Sequence, residues 1–220
     1  MPIAGEHHPA FEEYCECIFE LMEDGFEVIQ ARIVERLRVS RPSVSEMCRR
    51  MEKEGLITLD GPRIHLTAAG QDLAERVVRK HRLAERFITE ILGLSFATAH
   101  REAGRWEHVM SDEIEAAMNR VLGGPTTCPH GNPIPGANAL SGAVVRLGEI
   151  KDGSDFTVKR IPEELEFTPG MLEFLETNGI VPGSSGRIVS RDHDGTRVVE
   201  VRGTKVTVDS YAVSRIFVEA

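Results

Sequence analysis

The stretch from Ile29 to Thr67 constrains the fold most, because its breaks follow one another too closely for long elements. Ile29, Ile33, Val34 and Leu37 recur on one helical face. Val39 and Ser40 break the pattern, and Pro42 follows where the first turn of a helix accepts proline because no amide donor is needed there. Val44, Met47, Cys48 and Met51 then form a second apolar face that Gly55 ends, in the manner of a left-handed residue after a helix. LITLDGPRIHLT reads as two short strands around an Asp60-Gly61 turn. Helix, short turn, helix and hairpin make a winged helix-turn-helix.

Charge agrees with that reading. From Val28 to His65 there are eight Lys or Arg against five acids, a local +3 that leaves −12 on the rest of a chain whose formal charge is −9. Such a balance excludes a protein coated by nucleic acid over its whole surface but suits one basic face, since neutralising phosphates supplies most nonspecific duplex affinity. Short side chains at the start of a recognition helix let its backbone approach base edges, and Ser40, Pro42, Ser43 and Ser45 stand there. With 41% hydrophobic residues, no apolar run near the ~20 residues of a membrane span and no leader pattern at the start, a cytoplasmic protein is expected. Cysteines at 15, 17, 48 and 128 make no disulfide framework and read as reduced thiols.

Phe11, Tyr14, Cys15, Ile18, Leu21 and Met22 give an opening helix after an aperiodic start in which His7 and His8 read as disordered rather than as ligands. Its other face carries Glu13, Glu16 and Glu20, an acidic stripe that is equally a solvated helix face. From Thr67 onward, Leu73, Val77, Val78, Ala84, Phe87, Ile88, Ile91 and Leu92 form an apolar face wide enough for helix-on-helix association, which predicts a dimer contact. Within and after this helix, His81 and Glu85 are four residues apart, and His100, Glu107 and His108 follow at one-face spacing. Any one such histidine is more often a surface or core residue than a ligand. Together, imidazoles and carboxylates on two faces are the donors that divalent cations take.

Beyond Val121, GGPTTCPHGNPIPGAN is dense in Gly and Pro and reads as a linker or irregular loop. Cys128 and His130 within it do not have zinc-finger spacing. The tail alternates β-branched and polar residues around glycine turns, with one short helix over Pro169 to Asn178. No phosphate loop, nucleophile elbow or HExxH is present, so the chain reads as a non-enzyme. The expected architecture is α+β: residues 1–66 a winged helix-turn-helix, 67–140 a helical metal-binding and dimerisation unit, and 141–220 a small β-rich domain.

ARIVERLRVSRPSVSEMCRRMEKEGLI, RKHRLAERFITEILGL, RWEHVMSDEIE and HGNPIPG resemble the diphtheria toxin repressor family of metal-dependent transcriptional repressors, over roughly residues 10 to 136. The tail resembles, more loosely, the SH3-like (FeoA-like) domain that often follows. The resemblance implies a homodimer that takes Mn(II) or Fe(II) as corepressor, binds a palindromic operator on double-stranded DNA and represses metal uptake genes. Zn(II), Co(II) or Cd(II) would substitute in vitro. Carried over by position, a primary site falls on Glu13, Glu16, His81, Glu107 and His108; Gly104 stands where relatives have a cysteine or glutamate ligand. A secondary site falls on Glu85, His100, Cys128, His130 and Glu163. The first helix offers acids where the iron-responsive branch has methionine, and oxygen and nitrogen donors suit Mn(II), so manganese is expected ahead of iron. DNA contacts fall on Arg32, Ser40, Arg41, Pro42, Ser43, Ser45, Glu46, Arg49 and Arg50, with Glu46 at a position that is glutamine in iron-responsive relatives. Two other classes are a metal-independent winged-helix regulator, whose DNA binding would ignore chelator, and a metal-storage or hydrolytic zinc protein, indifferent to DNA.

Overall fold

The computed structural model describes residues 9–137 and 142–220, so the readings of His7 and His8 and the expected boundary at 140 and 141 lie outside the described residues. Helix α1 (Pro9–Glu23) leads into α2 (Gln30–Leu37) and α3 (Arg41–Lys53), followed by the hairpin of β1 (Ile57–Asp60) and β2 (Arg63–Leu66). Local chemistry sets each boundary. Arg38 closes α2 in the left-handed region, and the Ser40 Oγ accepts from the Ser43 amide at 3.2 Å, capping α3 with a proline in its first turn. Gly55 and Gly61 take positive φ after α3 and in the hairpin turn. Tyr14, Ile18, Ile33, Val44, Met51, Leu56, Ile64 and Leu73 form one core that binds the opening helix to the helix-turn-helix and its wing.

The long α4 (Ala68–Glu90) leaves that core and carries α5 (Phe96–Trp106) and α6 (Asp112–Val121). Gly70 lets α4 pass the wing: a Cβ there would lie 2.0 Å from the Leu56 carbonyl oxygen. The α4 face expected to meet a second subunit is largely consumed inside the chain. Leu73, Val77, Val78, Ala84 and Ile88 are buried, whereas Ile91, Leu92, Leu94, Val109, Ile114 and Val121 are exposed. The apolar surface therefore sits just beyond α4, after α5 and on α6, because α1 and α5 both pack against α4.

The glycine- and proline-rich segment is not a linker. Three arginines on one stripe of α4 fasten it: Arg79 donates to the Pro135 carbonyl at 2.9 Å, Arg82 to that of Pro133, and Arg86 to that of Cys128 at 3.4 Å. The Cys128 amide donates to the Asn132 carbonyl at 2.8 Å, and a Thr127–Pro133 bridge closes the strap, leaving Cys128, His130 and Asn132 buried. At Gly131 (φ 87°) a Cβ would lie 2.1 Å from the Lys159 carbonyl oxygen, so the strap can press against the tail domain only with glycine there.

The tail consists of β3 (Val145–Arg146), β4 (Asp155–Arg160), α7 (Glu163–Glu166), α8 (Met171–Thr177), β5 (Ser185–Arg191), β6 (Arg197–Val201), β7 (Thr204–Val208), α9 (Ser210–Val213) and β8 (Phe217–Glu219). Its six strands pair antiparallel in the order β3-β8-β4-β5-β6-β7. Phe156, Val158, Ile161, Leu165, Leu175, Ile188, Val199 and Val218 fill its core. The expected helix over residues 169–178 is α8; the one-turn α7 before it carries too few residues to show a helical period. This SH3-like domain is tied to the rest by an Arg160–Asp24 ion pair, by Arg82 paired with Glu23 at 2.7 Å and Glu163 at 3.4 Å, and by the Ile161 amide donating to the His130 carbonyl at 2.8 Å.

Candidate metal centre and DNA-binding face

Five elements bring buried and half-buried imidazoles and carboxylates together, α1 contributing Glu16. His81 and Glu85 lie one turn apart on α4, His100, Glu107 and His108 come from α5 and its end, Cys128 and His130 from the strap, and Glu163 and Glu166 from α7. Ligand atoms within 4.8 Å of one another form four groups: His81, Glu85 and His100; Glu85, Cys128 and His130; Glu16, His81 and Glu107; His100, Glu163 and Glu166. The third group matches part of the expected primary set. The others run through the expected secondary set and add Glu166.

His81 belongs to both regions. Its Nδ1 contacts a Glu107 oxygen, while its Nε2 lies 3.2 Å from Glu85 Oε1. His100 Nδ1 is 3.2 Å from both Glu85 Oε1 and Glu166 Oε2, and His130 Nδ1 approaches Glu166 Oε2 at 2.7 Å. His108 Nδ1 bonds Glu12 Oε2 at 2.8 Å, and its Nε2 lies 3.2 Å from Glu107 Oε1. Glu13 is exposed on the wall of a cleft of about 700 Å³ that Glu16, His81, Glu107 and His108 also line, but it is in none of the four groups. Of the acidic stripe, only Glu13 is solvated; Glu16 and Glu20 are buried.

Electrostatics show buried acids and imidazoles crowded against one another. Burial, then Glu107 and Glu20, push the Glu16 carboxyl well up, and burial lifts Glu20 to about 7 against the pull of Arg36. Burial followed by Glu166 and Glu20 raises Glu163. Burial would lower His81, but Glu85 and Glu107 lift it well above the imidazole range, and Glu166 and Glu85 do the same for His100, to about 10. Glu85 is held well down by His130 and His81 in spite of burial. Yet Glu85 Oε2, Glu163 Oε2, Glu166 Oε2, His81 Nε2 and both His130 nitrogens are buried without an aligned hydrogen bond. Buried polar atoms without aligned bonds are costly alone, and carboxylate oxygens together with deprotonated imidazole nitrogens are donors that a divalent ion takes. Built at Gly104, a Cβ meets nothing within 4 Å, so there is open space where another ligand side chain would stand.

Sequence reasoning missed Glu166, Glu12 and Asn132. The Asn132 amide donates to Glu166 Oε1 at 2.8 Å and to the Ile161 carbonyl at 3.0 Å, fixing the α7 carboxylate. Pro162 followed by Glu163 and Glu166 at helical spacing was the available signal.

On the DNA side, α3 exposes Arg41, Pro42, Ser43, Glu46, Arg49 and Arg50, with Ser40 exposed at its cap and Ser45 half-buried. Glu46 and Arg49 pair across 3.5 Å, and Arg50 covers the Phe11 ring. Arg32 lies half-buried over Phe26. Arg36, counted in the basic patch, turns inward to Glu20 at 3.3 Å, and Arg63 pairs with Glu27, so fewer cations face a duplex than the sequence tally implied.

Comparison with known proteins accounts for this combination. Residues 8–63 match "Iron dependent repressor, N-terminal DNA binding domain", residues 67–136 "Iron dependent repressor, metal binding and dimerisation domain", and residues 145–220 the FeoA domain. The diphtheria toxin repressor of Corynebacterium diphtheriae is 48% identical over 191 residues, covering 82% of this chain and 84% of that one. The iron-dependent repressor IdeR of Mycobacterium bovis is 38% identical over 220 residues, covering 94% and 96%. A solved "Manganese-dependent transcriptional repressor complex with manganese" superposes with a TM-score of 0.85 at 31% identity, covering 96% of this chain and 99% of that one. A reading head, a dimerisation unit and a FeoA domain in this order, matched along nearly the whole chain, place the protein in the diphtheria toxin repressor family of metal-dependent, DNA-binding transcriptional repressors.

Proposed function

We propose that this repressor is a homodimer that takes Mn(II) as corepressor, binds a palindromic operator and controls metal uptake genes. The observation that carries the metal reading is the clustering of imidazole and carboxylate atoms from α1, α4, α5, the strap and α7, those of His81, Glu85, His130, Glu163 and Glu166 including buried atoms without an aligned hydrogen bond. In this reading Glu16, His81, Glu107 and His108, with Glu13 swinging in from the cleft wall, form the primary site. Glu85, His100, Cys128, His130, Glu163 and Glu166 form the secondary one. When bound, a cation supplies positive charge that relieves the carboxylate repulsion lifting Glu16 and Glu163.

The chain's own part is mechanical. Glu16 is on the helix that packs against α2, while His81 and Glu107 belong to the dimerisation helices, so drawing them together fixes the reading head relative to its partner's. Moving the DNA-competent fraction from about 1% to about 99% requires a preference of about 5.5 kcal/mol, which two sites in each of two subunits can share. Support for manganese is the absence of a soft donor from the primary group and the likeness to a manganese-dependent repressor. The likeness to iron-dependent repressors keeps Fe(II) as the second reading.

The test is binding to a duplex selected from a random library by the manganese-loaded protein, with Mn(II), Fe(II), Zn(II) or chelator, repeated for Glu13→Ala and His81→Ala. Strong binding only with metal, lost in His81→Ala, is expected. Binding unaffected by chelator in the wild type would end the corepressor reading.

A further inference from the structure

Phe167 closes α7 directly after Glu166, its amide donating to the Glu163 carbonyl at 3.1 Å, so ring and carboxylates move as one short rigid turn. The ring touches two units at once. On one side it meets His100 of α5 edge-to-face, centroids 5.1 Å apart and planes at 86°. On the other, the Arg36 guanidinium of α2 lies 4.8 Å from its centroid. Arg36 is also held by Glu20 at 3.3 Å and reaches Asp24 at 3.9 Å, both on or directly after α1, while Ile33 of the same helix packs in the core with Val44 of α3. Phe167 is nonetheless 42% exposed. It lines both the metal cleft and a second cavity of about 250 Å³, which Phe26, Arg32, Arg38, Pro169 and Tyr211 also line.

The geometry points to Phe167 as the positioning residue through which the tail domain reports metal at the secondary site to the helix-turn-helix. Resting on the metal-switch reading, it adds a second route to α2, one that enters from the tail domain and meets α1 at Arg36. With Glu166 and His100 held together, the ring is fixed as a wedge on Arg36, and the cation–π contact favours one setting of α2. When they part, the ring can leave into the neighbouring cavity and α2 loses that constraint.

The experiment uses the full chain as wild type, Phe167→Ala, Phe167→Leu and Phe167→Tyr. Mn(II) stoichiometry and affinity are measured by calorimetry without DNA. Manganese-dependent protection of α2 is followed by hydrogen exchange, and the ratio of duplex affinities with Mn(II) and with chelator by anisotropy. Phe167→Ala and Phe167→Leu are expected to bind Mn(II) as wild type does, yet to lose the protection of α2 and about tenfold of the affinity ratio, with Phe167→Tyr restoring both. A wild-type ratio in Phe167→Ala overturns the inference, as does a lost ratio accompanied by an equal loss of bound Mn(II). If wild type itself shows no manganese dependence, the metal-switch reading falls and takes this one with it.

Discussion

Glu85 on α4 and Glu166 on α7 aim one oxygen each at the same His100 nitrogen, 3.2 Å away in both cases, although 81 residues separate them in the chain. Both are fully buried and both also approach His130. Two carboxylates this close tolerate each other only with positive charge between them, which protons on the histidines provide in the metal-free protein.

Metal must therefore displace protons. His100 is raised to about 10 in the fold, so it is protonated at pH 7, and that shift stabilises the apo fold below pH ~6.5 and is lost as pH rises toward 10. The sign for metal is opposite: each proton released makes Mn(II) affinity climb about tenfold per pH unit over this window. Calorimetry in buffers of different ionisation enthalpy counts the protons. A pH-independent affinity between 6 and 9 contradicts the assignment of His100.

Gly104 is helical, exposed and faces open space. Gly104→Ala should stabilise the apo protein by about 0.5–1 kcal/mol with unchanged Mn(II) affinity, a pure helix effect. Gly104→Glu should tighten Mn(II) binding by about tenfold, one added carboxylate ligand. Equal metal affinity in the two variants would place the primary site elsewhere.

Arg82 has no solvent exposure and binds Glu23 through both terminal nitrogens, at 3.0 and 2.7 Å, as well as Glu163 and the strap. Replacing it by Met leaves the buried Glu163 without its arginine and the half-buried Glu23 with Arg160 as its remaining partner, so urea denaturation should show a loss of about 3–5 kcal/mol. A loss below about 1 kcal/mol would mean that the strap and tail domain do not depend on this junction.

Glu46 and Arg49 hold each other on the exposed face of α3. A carboxylate only accepts, and favours a cytosine amino group, whereas an amide suits adenine. Glu46→Gln should shift the preferred base at one position of each half-site from cytosine toward adenine in duplexes selected from random sequence. Identical selected sites for both proteins would remove Glu46 from base reading.

Residues close in sequence determined the parts of this protein that its sequence could specify alone. Pro42, Gly55 and the Asp60-Gly61 turn act through backbone dihedrals within a few residues, so the helix-turn-helix and wing were legible without a structure. His81 and Glu85 were legible as a pair because a helix places residues four apart on one face. Tertiary structure alone decided that Arg36 turns inward, that the α4 face is spent on α1 and α5, that Glu166 joins Glu163 at the histidines, and that a segment resembling a linker is a partly buried strap. Those outcomes depend on which distant charges and apolar surfaces compete for the same space, and burial strengthens them by removing the water that would screen them. Periodicity records neither the competitor nor the loss of water.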